Sequence, residues 1–488
     1  MKGRGFVANA SMLTSSALVA SALSGGLGLV TARIMGPGLF GTWQAMRLVQ
    51  QYSGYANMGA PWSMQRDITA ALAHDDPRSA QRALDVVFTL TLVATLVFEA
   101  VLILLSAVTG WPFPLGWATL LGTFLVVFQT YSLGLMILNA HYRFGLSGAV
   151  DVLTSLVNVA ATIGLVLVFG LTGLLIAQTL WCLVGIGLIM GMGGVRPRLV
   201  VDWTLATHYV RSGLLFTING FLYLCTRSVD RILILAVLGT TALGWYGLAI
   251  FAAGYVELAA QALGRAMYPH MVGEFEADGD HEVMRPYVTQ VNLALGLLVP
   301  CATGLAALVL PPLVTAILPR YVPGIMAAQI LMLSAPFVVV RYTASYYFVA
   351  TATIERTFKV QMVATVVAAG ACAAALAAGM GTGGAALGMA LANLVSAVGF
   401  LSLALDSFGV TRVRVTAFAG RVLLPSFYVG GSVAVLEAMP VNWVGGVGVG
   451  SVLGQSACLL VLCSPLLVAG WRVAAPFLFH SRSTWATA

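Results

Sequence analysis

Apolar residues run through the chain in long blocks without two-residue alternation, and short polar or Gly/Pro-rich breaks separate the blocks. About 20 apolar residues in helical conformation cross a bilayer's hydrocarbon, and a helix satisfies every backbone group internally there. The missing alternation excludes a membrane β-barrel. Reading between breaks predicts helices near 10–34, 43–69, 83–109, 115–139, 147–169, 172–194, 208–238, 244–270, 287–310, 322–351, 359–379, 382–405, 420–436 and 443–470. That is about 14 transmembrane helices, the last two divided by the weak break "EAMPVN" at 437–442. The N-terminal "MKGRG" and the apolar stretch behind it mimic a signal peptide. The run to Val30 is too long for such a segment and leads straight into another span, so it reads as an uncleaved first helix.

Composition agrees with an all-α polytopic membrane protein. Of 488 residues, 59% are hydrophobic and 8% charged, with mean hydropathy +0.94, whereas soluble domains carry roughly 25% charged residues. The formal charge of +7 has a topological origin. With an even helix count and the N-terminus cytoplasmic, 18 of the 24 Lys and Arg residues fall on the inner side, as cytoplasmic loops require. Arg33, Arg47 and Arg320 lie near the outer face, and Arg227, Arg231 and Arg341 fall inside spans. No clustered basic patch supports nucleic-acid binding.

The six cysteines all lie within spans and form no CxxC pair, so they read as packing residues. No metal site and no cofactor is expected. "NAS" at 9–11 is a chance glycosylation match at a cytoplasmic helix start. The outer connections are short, leaving no room for a soluble catalytic domain, and no catalytic residue is assigned. The longest inner loop, "GEFEADGDHEVMRP" at 273–286, holds a fragment of a calcium loop at Asp278 and Asp280 without the later ligands, and reads as a solvated linker.

The chain carries an internal repeat. "TARIMGPGLFGTWQ" at 31–44 and "ILAVLGTTALGWYG" at 234–247 place Gly36, Gly41 and Trp43 on Gly239, Gly244 and Tyr246 at an offset of 203. "GLTGLLIAQTL" at 170–180 matches "GTGGAALGMAL" at 381–391 at an offset of 211. The expected organisation is an N-terminal six-helix lobe over 1–206, a parallel six-helix lobe over 207–406, and two further helices with a cytoplasmic tail over 407–488. Gly446, Gly450 and Gly454 recur every fourth residue on the last helix and favour close packing.

Three stretches together resemble the multidrug/oligosaccharidyl-lipid/polysaccharide exporter superfamily, in its O-antigen type polysaccharide-flippase branch. They are "ARIMGPGLFGTW", then "VDRILILAVLGTTALGWYGLA" at 229–249, then the run from "ALGRAMYPHMVGEFEADGDHEVMRPY" through "ILMLSAPFVVVRYTASYYFVATATIERTFKV". The resemblance implies two lobes rocking about a central cavity and exposing it to each side in turn. It also implies a lipid-linked oligosaccharide of the polyprenyl phosphate or pyrophosphate type as substrate, membrane lipids around it, a polysaccharide polymerase and glycosyltransferases as partners, and the cytoplasmic (inner) membrane as location.

Charges inside spans are expensive and face cavities, so each is a functional candidate. By the resemblance, cavity arginines meet the phosphate, and Arg33 stands in the motif itself while Arg47, Arg227, Arg231 and Arg341 match by region. Asp230, three residues from Arg227, offers the alternative of a structural bridge, and Arg33 and Arg47 the alternative of snorkelling to headgroups. Glu257 and Glu99 are coupling carboxylates or counter-ions, with counter-ion favoured for Glu257. Tyr342, Tyr346 and Tyr347 stack on sugars or pack, and Tyr52 and Tyr255, which the 203 offset pairs, are better stacking candidates. A cationic cavity favours a flippase or polysaccharide exporter. A cation-coupled multidrug exporter would want more carboxylates than arginines in the spans, and a glycan polymerase or ligase would want a large outer loop.

Overall fold

The computed structural model describes residues 3–110, 113–141, 143–194, 196–278, 280–351, 353–439 and 449–479. Lys2, Gly279, Gly446, Arg482 and the rest of 440–448 lie outside the described residues. The described residues form α1 (Gly3–Ser53), α2 (Ala60–Ala73), α3 (Pro77–Thr109), α4 (Leu115–Ala140), α5 (Phe144–Gly193), α6 (Trp203–Asp278), α7 (Arg285–Ile317), α8 (Ile325–Ala350), α9 (Phe358–Ala377), α10 (Gly381–Asp406), α11 (Arg412–Ala438) and α12 (Val449–Phe479). No strand occurs among them. Ten helical stretches among the described residues are long and apolar enough to cross a membrane. The 50-residue α5 is long enough for two crossings of a core about 30 Å thick.

Three helices are broken by single glycines: α1 at Gly36, α5 at Gly170 and α6 at Gly239. The second half of α1 continues into α2 through turns at 54–59. Counted by these breaks, with α2 taken together with the second half of α1, the described residues form fourteen helical segments in an all-α polytopic fold. Gly36 (φ 73°, ψ 172°) and Gly239 (φ 82°, ψ −175°), 203 residues apart, share one backbone conformation. Gly170 and Gly381, 211 apart, both sit at positive φ, 57° and 60°. A Cβ would clash in this region, so only glycine enters it freely. Pro37, directly after Gly36, has the fixed φ that suits a helix start.

The chain divides into two compact units, Met1–Leu224 and Cys225–Ala488. In the first, Ala60, Met64, Ile68, Leu84, Leu133 and Tyr209 form a buried core. The extended strap after α5 is lashed to α3: Asp85 Oδ1 accepts from Arg198 N (2.9 Å) and Gln81 Nε2 (2.8 Å), and Val200 N donates to Thr89 Oγ1 (2.9 Å). Arg82 Nη2 meets Asp202 Oδ2 at 2.6 Å where α6 begins. In the second unit, α11 and α12 lie against α7. A Cβ on Gly296 would stand 2.5 Å from the Val422 carbonyl oxygen, and one on Gly470 2.8 Å from Leu298. The close approach of α12 is therefore made at Gly470.

Two expectations change. The predicted span 43–69 is interrupted, because Gly59 takes φ 74° and packs backbone to backbone on Gly213, where a Cβ would lie 2.6 Å from the Gly59 carbonyl. The linker expected from 273 is helical as far as Asp278. Asp280 is spent capping a short 3-10 turn, accepting from Glu282 N at 3.0 Å.

Candidate functional site

Polar groups collect in two places, one in each unit. In the second unit, Arg227, Asp230 and Arg231 leave α6 before its Gly239 break, Glu257 leaves it after the break, and Arg341 comes from α8; all five line one cavity of about 50 Å³. That is space for a few water molecules, not a sugar phosphate. The Arg227 guanidinium pairs with the Glu257 carboxylate. Asp230, 3% exposed, accepts from the Tyr246 hydroxyl (2.7 Å) and from Arg231 N (2.8 Å). Arg231 Nη2 donates to the Arg227 carbonyl at 2.7 Å. Arg341 is 9% exposed and lies 4.6 Å over the Tyr342 ring. Three guanidiniums thus face two carboxylates, an excess of one positive charge.

The bridge considered between Arg227 and Asp230 is not the pair that forms. Helical spacing brings them to one face, but Tyr246 arrives from beyond the Gly239 break to occupy Asp230 Oδ2, and Glu257 arrives from the same segment to take Arg227. A half-buried pair of this kind is held by geometry and by the remaining hydrogen bonds more than by Coulomb attraction alone.

In the first unit a larger cleft, about 380 Å³, opens beside the break at 54–59. Arg47, Gln50 and Gln51 line it from the end of α1, Trp62 from the start of α2, and Gln129 from α4. Of the residues singled out from sequence, only Arg47 is found here. Arg33 is exposed on α1 just before Gly36 and lines neither cavity. Tyr52 packs edge-on against Phe221 (5.8 Å), and the exposed Tyr255 against Phe251 (5.4 Å). Glu99 sits over Gly122 of α4, where a Cβ would come within 2.4 Å of its side chain. Tyr346 fills the notch at Gly264, and Tyr347 is a core residue bonded to His281 at 2.8 Å. Sequence reasoning passed over the amides of the first cleft and Tyr246 as a partner for Asp230. "QQ" at 50–51 inside an apolar run was the visible signal.

Residues 30–321, more than half the chain, match the family described as polysaccharide biosynthesis protein. The chain belongs to that family. No curated protein sequence matches it. Among solved structures, its fold is similar to a lipid II flippase, MurJ, in an inward closed conformation, with TM-score 0.69, 10% identity, and 94% of this chain and 98% of that one covered. It is also similar to an inward-facing multidrug resistance MATE family transporter of the MOP superfamily (TM-score 0.61, 15% identity, 83% and 95% covered). A third similar structure is a MOP superfamily transporter from Pyrococcus furiosus Vc1 whose binding pocket is described as reversed in polarity (TM-score 0.52, 16% identity, 84% and 93% covered). The family makes the chain a multi-pass membrane protein of polysaccharide biosynthesis, with a fold similar to those structures.

Proposed function

We propose that the protein is a flippase that carries a lipid-linked oligosaccharide or polysaccharide repeat unit across the cytoplasmic membrane by alternating access, with arginines meeting the phosphate or pyrophosphate headgroup. What carries this reading is the combination of a polysaccharide biosynthesis family with a fold similar to that of a lipid II flippase. The excess of guanidinium over carboxylate in the second unit supports an anionic cargo over a cationic drug. Arg227, Arg231 and Arg341 are its headgroup contacts, with Asp230 positioning Arg231 and Glu257 the counter-ion that the headgroup displaces from Arg227. Arg33, Arg47, Tyr52 and Tyr255 are contacts along the path, and Glu99 is a candidate coupling carboxylate. Two parallel repeats, 1–206 and 207–406, followed by an appended pair over 407–488, form the transporting frame; the matched glycine conformations at offsets of 203 and 211 support it.

Export is tested in a strain lacking the gene, by surface polysaccharide and by lipid-linked precursor retained on the inner leaflet. Arg33→Lys and Arg341→Lys should keep partial export, since lysine holds a phosphate as a point charge but lacks arginine's fork. Arg33→Ala and Arg341→Ala should abolish it at unchanged protein amount. Normal export by both alanine variants would remove the anion-binding role. The termini are placed in the cytoplasm on the distribution of basic residues. A cysteine at Arg414 should then be shielded from an impermeant thiol reagent in intact cells, and one at Thr382 labelled; the reverse pattern overturns that orientation.

A further inference from the structure

Amides surround the cleft of the first unit where ions surround the cavity of the second. Gln129 is 9% exposed and makes no hydrogen bond among the described residues. Thr91 Oγ1, on the neighbouring α3, is buried without a partner and lines the same space. Buried polar side chains are almost always bonded, so two unpartnered groups converging on one cleft point to a ligand that bonds them. The cleft's volume of about 380 Å³ lies in the range of small-molecule sites. Its wall includes the break at 54–59, and irregular backbone at membrane depth is tolerated where protein or a cavity receives it. In transporters such interrupted helices border the substrate.

The lining also restricts the chemistry. Each amide offers a donor and an acceptor on adjacent atoms, the pattern that neighbouring ring hydroxyls need. Trp62, 64% exposed, presents a flat apolar face at the rim, suited to the C–H face of a pyranose. Among the described residues no carboxylate lines the cleft and one guanidinium, Arg47, does, which disfavours an organic cation and tolerates a glycan attached to an anion. We propose that this cleft is a glycan subsite: Gln50, Gln51 and Gln129 bond the hydroxyls of a sugar ring, and Trp62 stacks on it. The proposal rests on the flippase reading and adds to it a place for the sugar separate from the arginines that take the phosphate.

The test uses the full chain in nanodiscs and three probes: a short-chain polyprenyl diphosphate, the same carrier bearing one hexose, and the same carrier bearing one N-acetylhexosamine. The unaltered protein should bind at least one sugar-bearing probe more tightly than the bare carrier. Gln129→Leu and Trp62→Leu should each weaken that probe by about tenfold, the order expected for losing one buried hydrogen bond or stacking contact, and leave the bare carrier unchanged. Retained binding of the bare carrier shows that the variants are folded, and the exposed position of Trp62 makes its variant the safer of the two. Equal binding of all three probes, or equal weakening of bare and sugar-bearing carriers, would overturn the glycan subsite and leave the flippase reading standing. Binding of none of them by the unaltered protein would overturn both.

Discussion

Positions 47, 50 and 54 line the cleft of the first unit, and positions 250, 253 and 257, each 203 residues on, line the cavity of the second. The chemistry differs at every pair. Arg47 corresponds to Ile250, Gln50 to Ala253 and Gly54 to Glu257. Conversely, the charged residues Arg227, Asp230 and Arg231 correspond to Ser24, Leu27 and Gly28. Where Gly54 leaves room beside the Gln129 amide, at 3.6 Å from where its Cβ would be, Glu257 reaches across to Arg227. Matching helix positions therefore line an amide-rich cleft of about 380 Å³ in one unit and a smaller, charged cavity of about 50 Å³ in the other. On the proposed function, these two stretches at one offset separate recognition of a sugar from recognition of its phosphate.

The largest expected effect breaks the charged cavity. Asp230→Ala would leave Arg231 buried without its neighbouring carboxylate and the Tyr246 hydroxyl without an acceptor. Removing one partner of a buried charged network costs about 3–5 kcal/mol. The purified variant should melt well below the unaltered protein, with reduced amounts in the membrane; Leu27→Ala at the corresponding position of the first unit should lose packing of about 2–5 kcal/mol and leave the charge balance untouched. Tyr246→Phe separates the two contributions. It keeps the packing and should lose about 1.5–3 kcal/mol, the range for a hydrogen bond to a charged group, and an Asp230→Ala variant of unaltered melting temperature would show that the network is not what holds the cavity.

A smaller effect sharpens the role of Glu257. If it is the counter-ion that substrate displaces, Glu257→Gln frees Arg227 and should tighten binding of a bare polyprenyl diphosphate several-fold while slowing export, because the headgroup leaves less readily. Arg227→Gln should weaken the same probe, and the double variant should resemble Arg227→Gln alone. Such non-additivity is what contacting charges show. Additive effects, or an unchanged affinity in Glu257→Gln, would make the pair purely structural.

The fold was legible in sequence because hydrocarbon leaves few options: long apolar runs must be helices, and the glycines of the repeat mark where those helices break. Charged site residues were legible for the same reason, since a membrane tolerates an arginine only at a cost. Their partners were not. The 30-residue separation of Arg227 and Glu257 is closed only by the break at Gly239, whereas the nearer Asp230 satisfied the helical spacing and was the natural guess. The amide cleft escaped because Gln and Asn carry no charge that a membrane must neutralise, so the "QQ" at 50–51 pointed to no partner, and the turns at 54–59 because Gly54, Gly59 and Pro61 lie within a stretch otherwise long enough to cross the membrane unbroken.

The smallest effect concerns the connections that precede α6 and α11. In the first unit Asp202 starts α6 by accepting from Leu205 N at 3.1 Å and meets Arg82. The backbone N–H of Leu205, and then the Arg82 guanidinium, hold its carboxyl below the usual aspartate range. In the second unit Thr411 starts α11 with no side-chain capping bond. A lowered carboxyl pKa stabilises the folded state fully above the ordinary Asp value of about 3.9 and progressively less as pH falls through the lower folded value. Acid should therefore loosen the first strap through this group, while Thr411 has no titrating counterpart. Because Arg82 is largely exposed, its ion pair is a weak surface interaction, further reduced by salt. Arg82→Gln should change backbone exchange at Arg198, Val200 and Leu205 only slightly, and Asp202→Asn more, with the difference from the unaltered protein present at neutral pH and shrinking below about pH 4. If exchange at these amides were unaffected by Asp202→Asn at neutral pH, the strap would be held by Asp85 and Thr89 on α3 alone.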